Sequence, residues 1–245
     1  TEHEKIADVS HFAPPDFLVI NGVELSAGEI YVGYAYHVVA MDVPIDFKLQ
    51  DRTTQAVIDK IRSAGGEAMI AHPYWYGMFV HDLLRIKDYI GIEVFNWGCE
   101  GDIGGGRGLS SVHWDGVLSA GRKVFGFAVD DVHYYTYDAA GGWIMVKSPD
   151  PTKESIMKAI RNGEFYSSSG PTVSNLEVSK GKIRLECSGA RFINFVTVPT
   201  LGRRVDAQGN TLLTSYEVDI SKDLFFGRNP KGYVRIEFED EKVEI

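Results

Sequence analysis

Between residues 53 and 163 the chain alternates between two hydrophobic periods, joined by short connections. Residues 53–66, TTQAVIDKIRSAGG, set Ala56, Val57, Ile61 and Ala64 on one helical stripe, and Gly65-Gly66 ends it. Residues 68–71 form a short apolar run that fits a buried strand and gives out at His72-Pro73. The pattern then predicts a helix over 81–90, a strand over 91–95 carrying Glu93, and a third helix over 110–120 closed by Gly121. A further buried strand fits 124–129, another fits 142–146, and 151–163 reads as a helix with proline near its start and glycine past its end. Strands that alternate with helices over short connections imply parallel strands with helices outside.

Upstream, 17–23 (FLVINGV) predicts a short buried strand ending at Glu24, and 30–43 is a β-rich run around His37. The two runs fit adjacent strands. After Gly170-Pro171 the pattern changes: 173–245 shows short β-rich runs such as KIRLEC and YVRIEFED, broken by turn signals such as Gly209-Asn210. The expected organisation is an α/β domain over 1–170 and a β-sandwich-like extension over 171–245.

The polar residues that interrupt this pattern fall at strand ends. Glu24, His72, Asp131 and His133 each follow an apolar run, and in a β/α barrel the C-terminal strand ends form the face where chemistry is built. Asp131 and His133 are two apart, so both would point the same way if strand geometry continued past Val129. Imidazole and carboxylate converging there suit a divalent metal, and Glu24 has two oxygens with which to bridge a pair of ions. Asp130 would point away from Asp131, toward a supporting or proton-handling role. Arg107, in the glycine-rich loop 101–108, is a candidate anion clamp. His81 and His113 fall on predicted helices and read as surface or capping residues, and His11 lies in a polar loop away from the set.

Other chemistries lack their residues. No GxxxxGK[ST], no strand-linked GxGxxG and no GxSxG is present, which removes the usual signals for nucleotide binding and serine hydrolysis. A net charge of −9 disfavours a nucleic-acid partner. No apolar run approaches the roughly 18 residues of a membrane span. Cys99 and Cys187 are far apart and read as unpaired thiols, which points to a reducing, cytoplasmic setting.

Six short motifs occur in an order that resembles the PHP (polymerase and histidinol phosphatase) domains: Thr-Glu-His at 1–3, Gly-Val-Glu at 22–24, His37 in YHVVAMDV, Ala-His-Pro at 71–73, Ile-Glu-Val-Phe-Asn at 92–96 and Asp-Val-His at 131–133. Trp114-Asp115, 128–133 (AVDDVH), 163–166 (GEFY) and 169–171 (SGP), followed by a β-rich tail, are similar to a branch related to a carbaryl hydrolase. The resemblance implies a distorted (β/α)7-type barrel with up to three divalent ions (zinc, manganese or iron) at its strand ends. Carried over by position, it implies ligands at His3, Glu24, His37, His72, Asp131 and His133. The family's opening His-x-His has no counterpart after Thr1, so the resemblance implies a barrel lacking its first βα unit in this chain.

The activity expected from these features is hydrolysis of a small phosphate ester, ester or carbamate by metal-activated water. Asp131, His133, Asp130 and Arg107 are the candidate catalytic groups. The alternative is a metal-binding scaffold without activity, or a partner-binding module using the β-rich tail. The substrate and the oligomeric state are left open.

Overall fold

The structure, a computed structural model, describes residues 1–8, 14, 16–28, 35–101, 104–134, 136–198, 201–222 and 232–240. His11, residues 30–34, residues 102–103 of the glycine-rich loop, and Tyr135 lie outside the described residues. The chain divides into two compact units, Thr1–Val117 with Lys123–Ser167, and Leu118–Arg122 with Ser168–Ile245.

The first unit is built on a six-stranded sheet whose spatial order follows the sequence: β1 (Glu2–His3), β2 (Gly22–Ala27), β3 (Tyr36–Met41), β4 (Glu67–Ile70), β5 (Gly91–Asn96) and β6 (Phe125–Val129). Helices α1 (Thr54–Ser63), α2 (Val80–Arg85), α3 (Trp97–Glu100), α4 (Ser111–Ser119) and α5 (Lys153–Asn162) are interspersed, and β7 (Trp143–Val146) pairs with β8 (Phe165–Ser168). The arrangement is mixed α/β, rich in sheet, with short helices. Among the described residues the ladder does not return from β6 to β1.

All-parallel pairing, expected from the alternation, is not what the registers show. β1–β2, β4–β5 and β5–β6 are parallel, whereas β3 runs antiparallel to both β2 and β4. For the β3–β4 pair the reason lies in the long connection after β3. The segment leaving Met41 runs back along the sheet until the Arg52 carbonyl meets the Gly28 amide at 2.5 Å. Helix α1 then runs the other way and delivers β4 beside the end of β3, with Met41 opposite Glu67. An extended segment followed by a helix cancels its own displacement, so the chain re-enters from the edge it left. On α1 the buried residues are Thr54, Val57, Ile58 and Ile61, a stripe turned slightly from the expected one.

β2 also differs from expectation. Phe17 is 65% exposed, the strand starts only at Gly22, and Glu24 lies inside it instead of after it. Alternation then assigns the faces. Val23, Leu25, Val38 and Ala40 pack with α1 in one core, while Val39, Met69 and Phe127 pack with Met157 and Ile160 of α5 in another. Glu24 is opposite Val39 and shares its face.

Helix α5 is fixed at both ends. The Thr152 side chain accepts from the Ser155 amide, and Gly163 takes the left-handed conformation at φ +75° that closes the helix. No helix among the described residues is long and apolar enough to cross a membrane.

The second unit contains two three-stranded antiparallel sheets. One is ordered β13 (Leu213–Asp219), β10 (Lys182–Ala190), β9 (Val173–Ser179), and the other β12 (Gly202–Asp206), β11 (Phe192–Val196), β14 (Arg235–Glu239). Ile183, Leu185 and Cys187 are buried and alternate with more exposed neighbours along β10, and they join Ile193, Phe195 and Val218 in one core.

Candidate metal centre

The registers bring the polar residues to one end of the first unit's sheet. β1, β2, β4, β5 and β6 all run toward that end, and antiparallel β3 begins there. His3 is opposite Glu24, and His37 opposite Ser26 two residues further along. The Ala71 amide donates to the His37 carbonyl at 3.1 Å, so His72 emerges beside β3. A histidine at the start of an antiparallel strand thus reaches the same edge as groups at the ends of parallel ones.

Glu24 is the hub. His37 Nδ1 lies directly against its Oε1, and His72 Nε2 is 3.3 Å from the same oxygen. One ligand atom each from His3, Glu24 and His37 falls within 4.8 Å of the others, a group that could hold a metal ion. The His3 and His37 rings are 5.0 Å apart and the His37 and His72 rings 5.2 Å. Glu24 and His72 are buried, and His72 Nδ1 has no hydrogen-bond partner among the described residues. A buried imidazole nitrogen without a partner is costly in a dry site. Two or three imidazoles around one carboxylate are donors that suit a borderline divalent cation, so the residues fit such an ion.

Electrostatics agree with that geometry. Burial opposes ionisation of Glu24, yet the adjacent imidazoles of His37 and His72 outweigh it and hold the carboxyl well below the usual carboxylate range. For His72 burial works against the charged form, while Glu24, Glu93 and Asp131 overcome it and raise the imidazole above its ordinary value.

A second layer surrounds this group. Glu93 Oε2 accepts from the His72 amide and from Asn96 Nδ2, each at 2.8 Å. Burial pushes Glu93 up to about 7, opposed by His72 and Asn96 and reinforced by the charges of Glu24 and Asp131. Asn96 Nδ2 also reaches Asp131 Oδ2 at 3.1 Å, and its Oδ1 caps α3 by accepting from the Cys99 amide at 2.8 Å. Tyr76 places its hydroxyl 2.8 Å from His37 Nε2, and burial with the charges of Glu24, Cys99 and Asp131 pushes that phenol up to about 12. Sequence reasoning missed Asn96 and Tyr76 as site residues. Asn96 carries a legible signal, an N-cap residue at the end of an apolar strand, whereas Tyr76 carries none.

Asp131 and His133 do not share a strand face. The strand ends at Val129, and Asp131 has φ +55°, which breaks the alternation on which their common direction depended. The Asp131 carboxylate stays with the cluster through Asn96. The His133 side chain is 43% exposed at the rim, with Nδ1 2.9 Å from the Asp131 carbonyl and its ring 6.1 Å from that of His3. His72 also has a positive φ, +24°, so the backbone is strained at two of the gathered residues. Gly98 permits the close fit: its amide donates to the Asp130 carbonyl at 2.9 Å, and a Cβ there would stand 2.9 Å from the Asp131 carbonyl.

Asp130 turns away from the cluster and accepts three backbone N–H groups, from Ala140, Gly141 and Gly142, at 2.9, 2.8 and 2.8 Å. Its observed task is to anchor that turn. Arg107 is exposed, and its Nε donates to the Gly104 carbonyl within its own loop. His81 is exposed beside Asp82, and His113 is half-buried with Nε2 2.7 Å from the Met78 carbonyl. Cys99 and Cys187 are free thiols.

No protein-family model matches the chain, and no curated protein matches it. Among solved structures it is similar to the crystal structure of a two-domain protein containing a predicted PHP-like metal-dependent phosphoesterase from Bacteroides vulgatus ATCC 8482. The identity is 13% and the TM-score 0.45, over 91% of this chain and 67% of that one. Likeness at that level bears on neither the site nor the reaction.

Proposed function

We propose that this chain is a PHP-like, metal-dependent hydrolase of a small phosphate ester, carboxylic ester or carbamate. The observation that carries the proposal is the convergence of His3, Glu24 and His37 donor atoms within 4.8 Å, with His72 against the same carboxylate. In this reading Glu24 is the shared carboxylate, and His3, His37, His72, Asp131 and His133 complete the ligand set for two to three ions. Bound zinc, manganese or iron would supply Lewis acidity toward a phosphoryl or carbonyl oxygen and ease the ionisation of water near neutral pH.

The chain's own residues have separate tasks. Glu93 holds the His72 backbone and Asn96 holds Asp131, so two ligands enter pre-oriented. Trp75 and Tyr76, with rings 5.1 and 5.0 Å from that of His72, wall off water on one side. His133 at the rim is exposed where substrate and protons exchange. Arg107, exposed on its loop, is the proposed contact for an anionic substrate group.

The test is a hydrolysis panel of aryl phosphate, carboxylic ester and carbamate substrates, before and after chelation and with zinc, manganese or iron restored. Activity on one class that disappears with chelator and returns with metal is expected. Activity indifferent to chelator would contradict the proposal. If Arg107→Ala leaves phosphoesterase activity and phosphate inhibition unchanged, the anion-contact role is wrong.

A further inference from the structure

Resting on the reading of His37 as a ligand, we propose that Tyr76 is a positioning residue that decides which ring nitrogen of His37 is offered to a cation. The two nitrogens of His37 stand in different surroundings. Nδ1 is buried directly against Glu24 Oε1 and has no geometrically formed hydrogen bond among the described residues, while Nε2 is taken by the Tyr76 hydroxyl at 2.8 Å. A neutral imidazole carries one proton, so fixing it on one nitrogen leaves the other as a lone-pair donor. With the proton on Nε2 donating to the Tyr76 oxygen, Nδ1 presents its lone pair beside Glu24.

A phenol suits this task better than a carboxylate would. Its oxygen both donates and accepts. Without a cation, Nδ1–H can point at Glu24 and the Tyr76 O–H can donate to Nε2. With a cation, the bond reverses and Nε2–H donates to the phenol oxygen. Either state is satisfied without adding a negative charge to an end of the sheet that already holds Glu24, Glu93 and Asp131. The ring is itself held in place, with its centroid 4.9 Å from that of His37, 5.0 Å from His72 and 4.8 Å from Trp75. Outer partners of metal-binding histidines commonly set the tautomer in this way, and losing one weakens metal affinity by about 10- to 100-fold.

The experiment is zinc binding to the full chain by competition with a chromophoric chelator, for wild type, His37→Gln and Tyr76→Phe, together with long-range proton–nitrogen correlation spectra of the histidine rings. Tyr76→Phe keeps the ring and its packing, and an unchanged thermal midpoint verifies that. The expected result is zinc affinity about 10- to 100-fold weaker in Tyr76→Phe, and a wild-type His37 ring bound through Nδ1 with its proton on Nε2. Unchanged affinity in Tyr76→Phe, with His37→Gln still impaired, overturns the role of Tyr76 alone. Zinc bound through Nε2 of His37 in wild type overturns it too, without recourse to any variant. A wild-type chain that takes up no zinc overturns the metal centre itself, and the Tyr76 role with it.

Discussion

The side-chain amide of Asn96 holds the Asp131 carboxylate at 3.1 Å, joining the end of β5 to the second residue after β6. Its second N–H serves Glu93 and its carbonyl caps α3, so one fully buried side chain makes three different contacts. Truncation to alanine would strip hydrogen bonds from the buried Glu93 carboxylate and the half-buried Asp131 carboxylate and remove a helix cap. Asn96→Ala is expected to lose about 2–4 kcal/mol in urea unfolding. A loss within the scatter of neutral surface substitutions would mean that these contacts are not formed in solution.

Asp130 and Asp131 are neighbours in sequence with opposite duties. Asp130→Ala leaves three backbone N–H groups of 140–142 without their acceptor, and about 1–3 kcal/mol of stability should be lost. Metal affinity should be retained in that variant and sharply reduced in Asp131→Ala. Calorimetric zinc titration beside thermal unfolding separates the two effects, and the reverse ranking would exchange the roles.

Chelator-treated protein should have a pH-dependent stability of definite sign. The folded-state pKa values of Glu93, about 7, and of His72 are raised above their ordinary values. Their contributions are present at low pH and are lost as pH rises through the folded values. Glu24 is depressed, so its contribution is present above about pH 4.5 and disappears as pH falls toward its folded value. The melting temperature should therefore decline as pH rises from about 4.5 to about 7, the interval between the ordinary and the folded value of Glu93, and Glu93→Gln should flatten that decline. A decline of the same steepness in Glu93→Gln would show that Glu93 is not the responsible group.

The legible part of the molecule was its periodicity. The stripe of α1, the buried strands β4, β5 and β6, and the closing glycine of α5 follow from local patterns that packing does not override. Strand direction was not legible, because the antiparallel pairing of β4 with β3 follows from the combined path of the 42–53 segment and α1, which no local window contains. The faces of Glu24 and His37 depended on that same register. The directions of Asp131 and His133 were not legible for a different reason: the backbone takes a positive φ at Asp131, where a strand pattern predicts extension. Tyr76 was illegible because its contact with His37 spans 39 residues and is set by the turn after His72.

The account stands most directly on a cation held by His3, Glu24 and His37. Calorimetric titration of zinc into chelator-treated wild type and into a His3→Ala, His37→Ala double variant measures this. Tight, stoichiometric uptake by wild type is expected, with affinity at least about 100-fold weaker in the double variant. Superimposable curves for the two proteins, or no uptake by wild type, would contradict it.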